Sequence, residues 1–199
     1  MTGSTRAANA AQRRNDLIEA ALRLFATQGY DETGTDQIAE EAGVSPRTFF
    51  RYFPTKESVL FFGEYDFIRS FGDVLLAQPA DVADLDAIRD ALVVLAPVIE
   101  RIRERIRLYE QAIASSPILR GRADVNSQEH IAHMAEAIAR RRGLDEPDAG
   151  CTLLATVSHA VLRQAIFGWL QGPASASTAA ALHDGFALLR AEVGGQQRR

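Results

Sequence analysis

The sequence predicts an all-α protein of about nine helices, and three observations carry that expectation. Apolar residues recur at helical spacing along most of the chain. No window shows the strict apolar–polar alternation of a half-buried strand. Glycines, prolines and N-capping side chains punctuate the chain at helix length. With 47% of 199 residues hydrophobic and 24% charged, there is enough apolar mass for a sizeable core.

Leu17, Ala20, Ala21, Leu24 and Phe25 lie on one helical face, which predicts a first helix from about Ala10 to Gln28 with Gly29 as its left-handed cap. A short second helix fits Thr35 to Ala42, with Ile38, Ala39 and Ala42 inward and Thr33-x-x-Asp36 resembling a capping box. Gly43-Val44 turns the chain. Ser45 caps and Pro46 opens a third short helix to about Phe53, and Pro54 ends it. Thr55 is the expected cap of a long fourth helix from Lys56 to about Ala77. Gln78-Pro79-Ala80-Asp81 is the clearest break. Beyond it, helices fit Asp84–Glu100 (with Pro97 as a bend), Arg101–Ser115, a segment restarted by Pro117 and running to about Arg142, a segment opened by Asp145 and Pro147 and ended at Leu170, and Ser175–Val193.

Bulk features narrow the function classes. Cys151 is the only cysteine, so no intrachain disulfide and no cysteine-based zinc site are expected. The polar N-terminus lacks a signal-peptide core, and the longest uncharged stretch, Gln164 to Leu182, is broken by Gly172-Pro173. A cytoplasmic protein with no membrane partner is the expectation. His130-x-x-His133 is a weak metal pair without a third ligand, so no metal is expected. Nothing resembles a nucleophile elbow, a phosphate-binding glycine loop or a zinc-protease helix, so no catalytic residue, no cofactor and no enzyme are expected. The net charge of −4 argues by itself against a nucleic-acid partner.

The run from Gln37 to Phe50 overrides that average. It is a helix, a turn hinged on Gly43 and a second short helix, which is the helix-turn-helix plan whose second helix enters the DNA major groove by its N-terminal residues. Ser45 to Lys56 holds Arg47, Arg51 and Lys56 and no acid. Arg47, second in the helix, is placed for a base edge or a phosphate, and arginine is the side chain best suited to bidentate contact with guanine. Ser45, Thr48 and Tyr52 can donate to phosphate oxygens, and Lys56 is expected to add charge at the start of the fourth helix. Thr35, Gln37, Pro46, Phe50 and Arg51 complete the candidate DNA-contact set. The alternative is an ordinary αα-hairpin with solvated charges.

Ala20-Ala21-x-x-Leu24-Phe25-x-x-x-Gly29-Tyr30, then Ile38-Ala39-x-x-Ala42-Gly43-Val44-Ser45, then Thr48-Phe49-Phe50-x-Tyr52-Phe53-x-x-Lys56 resembles the TetR family of transcriptional regulators in order and spacing. The resemblance covers about the first third of the chain by motif, and the rest by length and helix order. It implies a homodimer whose two heads, residues 1–55, read a palindromic double-stranded operator, with residues 56–199 as ligand-binding and dimerisation domain. It further implies a repressor released by a small, largely apolar effector. Four positions depart from the family pattern. Phe50 stands where tyrosine is usual, Tyr52 where histidine is common, and Arg47 where a small residue is frequent. Gly34 replaces a frequent capping threonine, so the cap is expected at Thr33 or Thr35.

In the C-terminal part, the segment from Gly150 to Leu170 carries only Arg163 as a formal charge and is apolar most of the way round, so it must be buried on more than one side. The resemblance implies a dimer through residues of 147–171 and 175–193. Phe62, Tyr65, Phe71, Tyr109, Met134, Phe167 and Trp169 are candidate effector-pocket residues. Arg101, Arg103, Arg105 and Arg107 form either a solvated face or a site for the anionic group of an acyl-CoA-like effector. A helical small-molecule-binding or interaction module without DNA binding is the alternative function, resting on the missing hydroxyl at Phe50 and the acidic total charge.

Overall fold

The computed structural model describes the backbone of residues 2–61 and 64–194 and, within these, the side chains of residues 7–61 and 67–193. Among the described residues there are nine α-helices and no strand, as the periodicity predicts. They are α1 (Thr2–Gln28), α2 (Thr35–Glu41), α3 (Pro46–Tyr52), α4 (Glu64–Leu76), α5 (Asp84–Arg101), α6 (Arg103–Ser115), α7 (Pro117–Arg141), α8 (Ala149–Gln171) and α9 (Thr178–Gly194). A 3-10 turn, Glu57–Val59, stands between α3 and α4.

Two element boundaries differ most from the sequence expectation, for identifiable reasons, while α6, α8 and α9 start two to four residues later than expected. α1 starts at Thr2, eight residues before the expected Ala10; no proline interrupts the lead, and Arg6, Ala7 and Ala8 within it are good helix formers. The expected long helix from Lys56 does not form as one piece. Thr55 Oγ1 accepts from the Ser58 N–H (3.3 Å), while Ser58 Oγ accepts from the Thr55 N–H (3.3 Å) and donates to the Thr55 carbonyl (2.7 Å). These local bonds close a tight turn in competition with helix extension, and the described part of the next α-helix is Glu64–Leu76. Lys56 therefore sits at no α-helix N-terminus.

The chain forms two compact units that do not follow chain order. The first comprises Met1–Gly63 and Glu104–Asn126, the second Glu64–Arg103 and Ser127–Arg199. In the first, Leu17, Ile18, Leu22 and Phe25 of α1 close on Ile38 and Ala39 of α2, Phe49 of α3 and Phe53, all essentially solvent-free. Leu108 and Ala112 of α6 and Leu119 of α7 belong to the same core. Each large apolar side chain so buried contributes about 1.5–3 kcal/mol, so the three-helix head is stabilised by a fourth and a fifth helix.

The second unit is built around α5, whose Ile88, Ala91, Leu92, Leu95 and Ile99 are buried at helical spacing. α5 packs against α4, α8 and α9, and α8 against α9. Two arginines hold its corners by satisfying carbonyls that helix ends leave open. Arg141 donates to the carbonyls of Gln78 (3.0 Å), Pro79 (2.7 Å) and Val82 (2.9 Å) in the α4–α5 connection. Arg103 donates to those of Trp169 (3.0 Å), Leu170 (3.3 Å), Gly172 (2.8 Å) and Pro173 (3.3 Å) at the end of α8, and its guanidinium lies 4.7 Å from the Trp169 ring centroid. Arg107 pairs with Glu104 on its own helix. The expected arginine site for an anionic effector is thus corrected at two of its four members. Arg103 is bound to a helix terminus and Arg107 to a carboxylate, because α6 follows α5 after a single residue and turns Arg103 back toward the α8 end.

Candidate nucleic-acid interface and effector domain

The helix-turn-helix is assembled by backbone and small residues. The Ala42 N–H reaches the Ile38 carbonyl (3.1 Å), Gly43 that of Glu40 (2.9 Å) and Val44 that of Ala39 (2.9 Å). This closure of α2 requires a left-handed residue, and Gly43 supplies it at φ +66°. α3 then starts on Ser45, whose Oγ accepts from the Thr48 N–H (3.2 Å) and lies 3.0 Å from Thr48 Oγ1. Pro46 occupies the first helical position.

At the start of α2 the expected Thr33 cap is corrected. Thr33 is buried, and its Oγ1 donates to the Gly29 carbonyl (2.7 Å) and accepts from Gln28 Nε2 (3.1 Å). Gly34 takes the cap position, and Gln37 Oε1 reaches back to accept its N–H at 2.7 Å. Having no side chain, Gly34 forms only the returning half of a capping box. Gln37 Oε1 also accepts from Gln28 Nε2 (3.3 Å), leaving its amide N–H groups to face outward.

Along α3, Phe49 is fully buried and Phe50 is 53% exposed, their rings meeting edge-on at 5.3 Å. Phe49 is thereby the anchor of the helix and Phe50 belongs to its outer face. Ser45, Pro46, Arg47 and Arg51 are exposed, and Thr35, Thr48 and Tyr52 half-buried. The guanidinium of Arg51 lies 5.1 Å from the Tyr52 ring centroid, and that of Arg14, from α1, lies 5.5 Å from it. Arg14 was not among the sequence candidates. Its spacing from Leu17 and Ile18, at the edge of the buried face of α1, is the signal that places it there.

Lys56 behaves differently from the rest of the set. Its Nζ donates to the Tyr30 carbonyl at 2.6 Å and stands 4.0 Å from the centroid of the Tyr30 ring. Tyr30 Oη in turn donates to Glu57 Oε2 (3.0 Å), and Glu57 Oε1 meets Arg122 of α7 at 3.4 Å. Burial, reinforced by the hydrogen bond to Glu57, pushes the Tyr30 phenol up to about 12. Burial by itself would raise the Glu57 carboxyl. Hydrogen bonds from its own backbone N–H, from Tyr30 and from Thr55, with the charge of Arg122, outweigh that and hold it below the usual carboxylate range.

The candidate effector residues separate. Phe62 and the side chain of Tyr65 lie outside the described residues. Tyr109 packs edge-on against Phe61 at 6.1 Å within the first unit. In the second unit Phe71, Met134 and Trp169 are buried, whereas Phe167 is 55% exposed. Trp169 also has a structural duty, donating its indole N–H to the Ala176 carbonyl (3.0 Å) across the α8–α9 connection. An open cleft of about 290 Å³ at the α7–α8 corner, lined by Glu136, Ala139, Arg140, Leu144, Asp145 and Pro147, contains none of the candidates.

α8 and α9 expose large apolar residues among polar ones. Leu153 is 64% exposed, Leu188 62% and Val193 70%. α8 is long and apolar enough to cross a membrane, and one third of its most apolar window is buried within the chain. The two helices approach closely at Gly185, where an added Cβ would stand 2.8 Å from Val161 Cγ1. His130 stacks edge-on with buried His159 (6.0 Å), and His133 meets Glu136 (3.5 Å). Among the described residues no group of three metal-ligating side chains occurs.

Comparison with known proteins agrees with this arrangement. Residues 17–61 match the family described as bacterial regulatory proteins, tetR family, and residues 82–194 match the MftR C-terminal domain. The HTH-type transcriptional regulator TcmR of Streptomyces glaucescens is 34% identical over 148 residues, 68% of this chain and 62% of TcmR. The HTH-type transcriptional repressor KstR2 of Mycobacterium tuberculosis is 27% identical over 125 residues, 59% of this chain and 60% of that protein. The chain thus spans about three fifths of the length of these two relatives. Among solved structures, FadR of Thermus thermophilus in complex with lauroyl-CoA has a TM-score of 0.53 at 22% identity, covering 88% of this chain and 92% of that one. SmeT of Stenotrophomonas maltophilia, in its triclosan complex, has a TM-score of 0.61 at 18% identity, covering 88% and 90%. These two likenesses are likenesses of fold. With a matching head, a matching C-terminal region and the all-α architecture together, this chain belongs to the TetR family of transcriptional regulators.

Proposed function

We propose that this protein is a cytoplasmic, homodimeric repressor that leaves a palindromic operator when a small, largely apolar effector binds. Residues 1–55 supply the DNA contacts and residues 56–199 the effector site and the dimer contact. The observation that carries the reading is the outer face of α3. Arg47 stands exposed in the first turn of a capped helix, beside an exposed Phe50. Arg47 suits guanine, and a bare phenyl ring suits the methyl group of thymine. The lost hydroxyl at Phe50 therefore changes what is read rather than removing reading. Arg51, Tyr52, Thr48 and Ser45 surround this pair as phosphate contacts, with Thr35, Pro46 and Gln37 beside them. Lys56, bound to the Tyr30 carbonyl, serves DNA binding mainly by holding the end of the head in place.

The large apolar residues that α8 and α9 expose, Leu153, Phe167, Leu188 and Val193, support dimerisation through those helices, since covering them removes apolar surface from water. FadR holds lauroyl-CoA and SmeT triclosan, and both ligands are rich in apolar surface. Of the described candidates, Phe71 and Met134, both buried in the second unit, are the ones we assign to the effector wall. Repression follows by population shift. The effector must bind the form with misaligned heads better than the DNA-bound form, because equal affinity would move nothing. Gel-shift titration with DNA from upstream of the protein's own coding sequence tests the reading. A specific shift that Arg47→Ala weakens is the expected result. Absence of any specific shift at low salt overturns it in favour of a binding module without a DNA role.

A further inference from the structure

We infer that Arg14 of α1 is part of the DNA-backbone contact, forming with Arg51 and Tyr52 a three-residue phosphate clamp at the end of the recognition helix. The inference rests on the DNA-binding reading of α3 and extends it to a helix that sequence reasoning left out. Arg14 and Tyr52 are 38 positions apart, yet the Arg14 guanidinium lies 5.5 Å from the Tyr52 ring centroid, and that of Arg51 lies 5.1 Å from the same centroid. Both are within the roughly 6 Å over which a ring quadrupole attracts a cation. Two guanidiniums drawn to one ring bring two cationic donor groups together at the end of α3, where the oxygens of a single phosphodiester can accept from both.

The donor geometry fits the same ligand. Each guanidinium carries five N–H donors in a planar fork that matches phosphate oxygens, and a phenol adds one O–H. Arg14 sits in the interior of a helix that begins at Thr2, so its backbone is fixed rather than part of a loose arm. Tyr52 is the last residue of α3. The clamp therefore grips the backbone beside the groove that Arg47 enters, and it reads no base. Its role is to set how deeply and at what angle α3 lies.

Salt dependence tests this. The dissociation constant of wild type, Arg14→Ala, Arg14→Lys and Arg23→Ala is measured against salt concentration, on the upstream fragment and on a random-sequence duplex. Loss of one phosphate contact lowers the slope of log K against log salt by about 0.9 per half-site and weakens binding several-fold at about 0.1 M salt. Arg14→Ala is expected to show that change on both duplexes, and Arg14→Lys to recover the slope but not the full affinity. Arg23 pairs with exposed Glu41 on the α1–α2 contact, and its alanine variant is expected to leave the slope unchanged. Thermal unfolding establishes that each variant is folded. An Arg14→Ala protein that is folded and retains the wild-type slope overturns the clamp while leaving the DNA-binding reading intact. A wild-type protein that binds neither duplex overturns both.

Discussion

Phe49 and Phe50 are neighbours of identical chemistry with opposite tasks. One fills the head's core, and the other stands on the surface facing the proposed groove. Helical spacing from Phe49 to Phe53 already assigns them, because residues four apart share a face and residues one apart do not. The Thr33 cap was not legible in the same way. Thr33 and Thr35 are both good capping residues, and the choice fell to Gly34 once burial had turned the Thr33 hydroxyl toward the Gly29 carbonyl. The cluster of Tyr30, Lys56, Glu57 and Arg122 carries a pH prediction. Tyr30 is raised from 10.0 to about 12, so its contribution is fully present below about pH 10 and is lost as pH climbs toward 12. Glu57 is lowered from 4.5, so its contribution is present above about pH 4.5 and is lost as pH falls through the depressed value. Thermal midpoints recorded against pH are expected to fall at both ends. Tyr30→Phe should flatten the alkaline limb and Glu57→Gln the acid one, and unchanged limbs would show the cluster to be uncoupled from folding.

Element boundaries follow local chemistry wherever the cap is a single side chain. α3 starts on Ser45 and Pro46 and α6 ends at Ser115, as their sequences predict. α8 starts at Ala149 under the Asp148 cap, two residues beyond Pro147. The stretch after α3 did not follow, because Thr55 and Ser58 make reciprocal bonds that compete with a helix, and propensity alone does not rank the two. The role of α6 was likewise hidden. Leu108 and Ala112 read as an ordinary apolar stripe, and only tertiary packing assigns them to the head's core. At the other end of the same segment, Arg103→Ala removes four carbonyl contacts and the stacking on Trp169. Hydrogen bonds to a charged group are worth about 1.5–3 kcal/mol, so a loss of about 2 kcal/mol in denaturant unfolding is expected. Trp169 is the single tryptophan, so its fluorescence should shift in the native state as well. A variant with wild-type stability and emission would show that the α8 end is held by other means.

At the scale of the whole molecule, the large exposed apolar residues on α8 and α9 have a physical meaning only if something covers them. Leu153 and Leu188 are both more than 60% exposed within one chain. In the proposed dimer they are covered by the partner's equivalents, and an interface of that kind buries on the order of 2,000 Å². Leu153→Glu with Leu188→Glu is expected to yield monomers in sedimentation or size-exclusion measurements. It should also weaken operator binding far more than random-sequence binding, since one head can reach only one half-site. A double variant that stays dimeric places the interface elsewhere.

Periodicity, turn chemistry and spacing were enough to predict an all-α chain, a helix-turn-helix in its first third, and Arg47 in the first turn of α3. These are local matters of periodicity, turn chemistry and spacing, each decided within a few residues. The net charge of −4 was misleading only until it was divided along the chain, since Ser45 to Lys56 carries three cations and no acid. Tertiary structure alone decided that α6 and the start of α7 complete the head, that Lys56 closes on Tyr30, that Arg103 ends α8, and that Arg14 stands against Tyr52. Each of these joins residues 26 to 100 or so positions apart. No local propensity encodes such a pairing, because its free energy comes from desolvating and satisfying groups that meet only after the helices have packed.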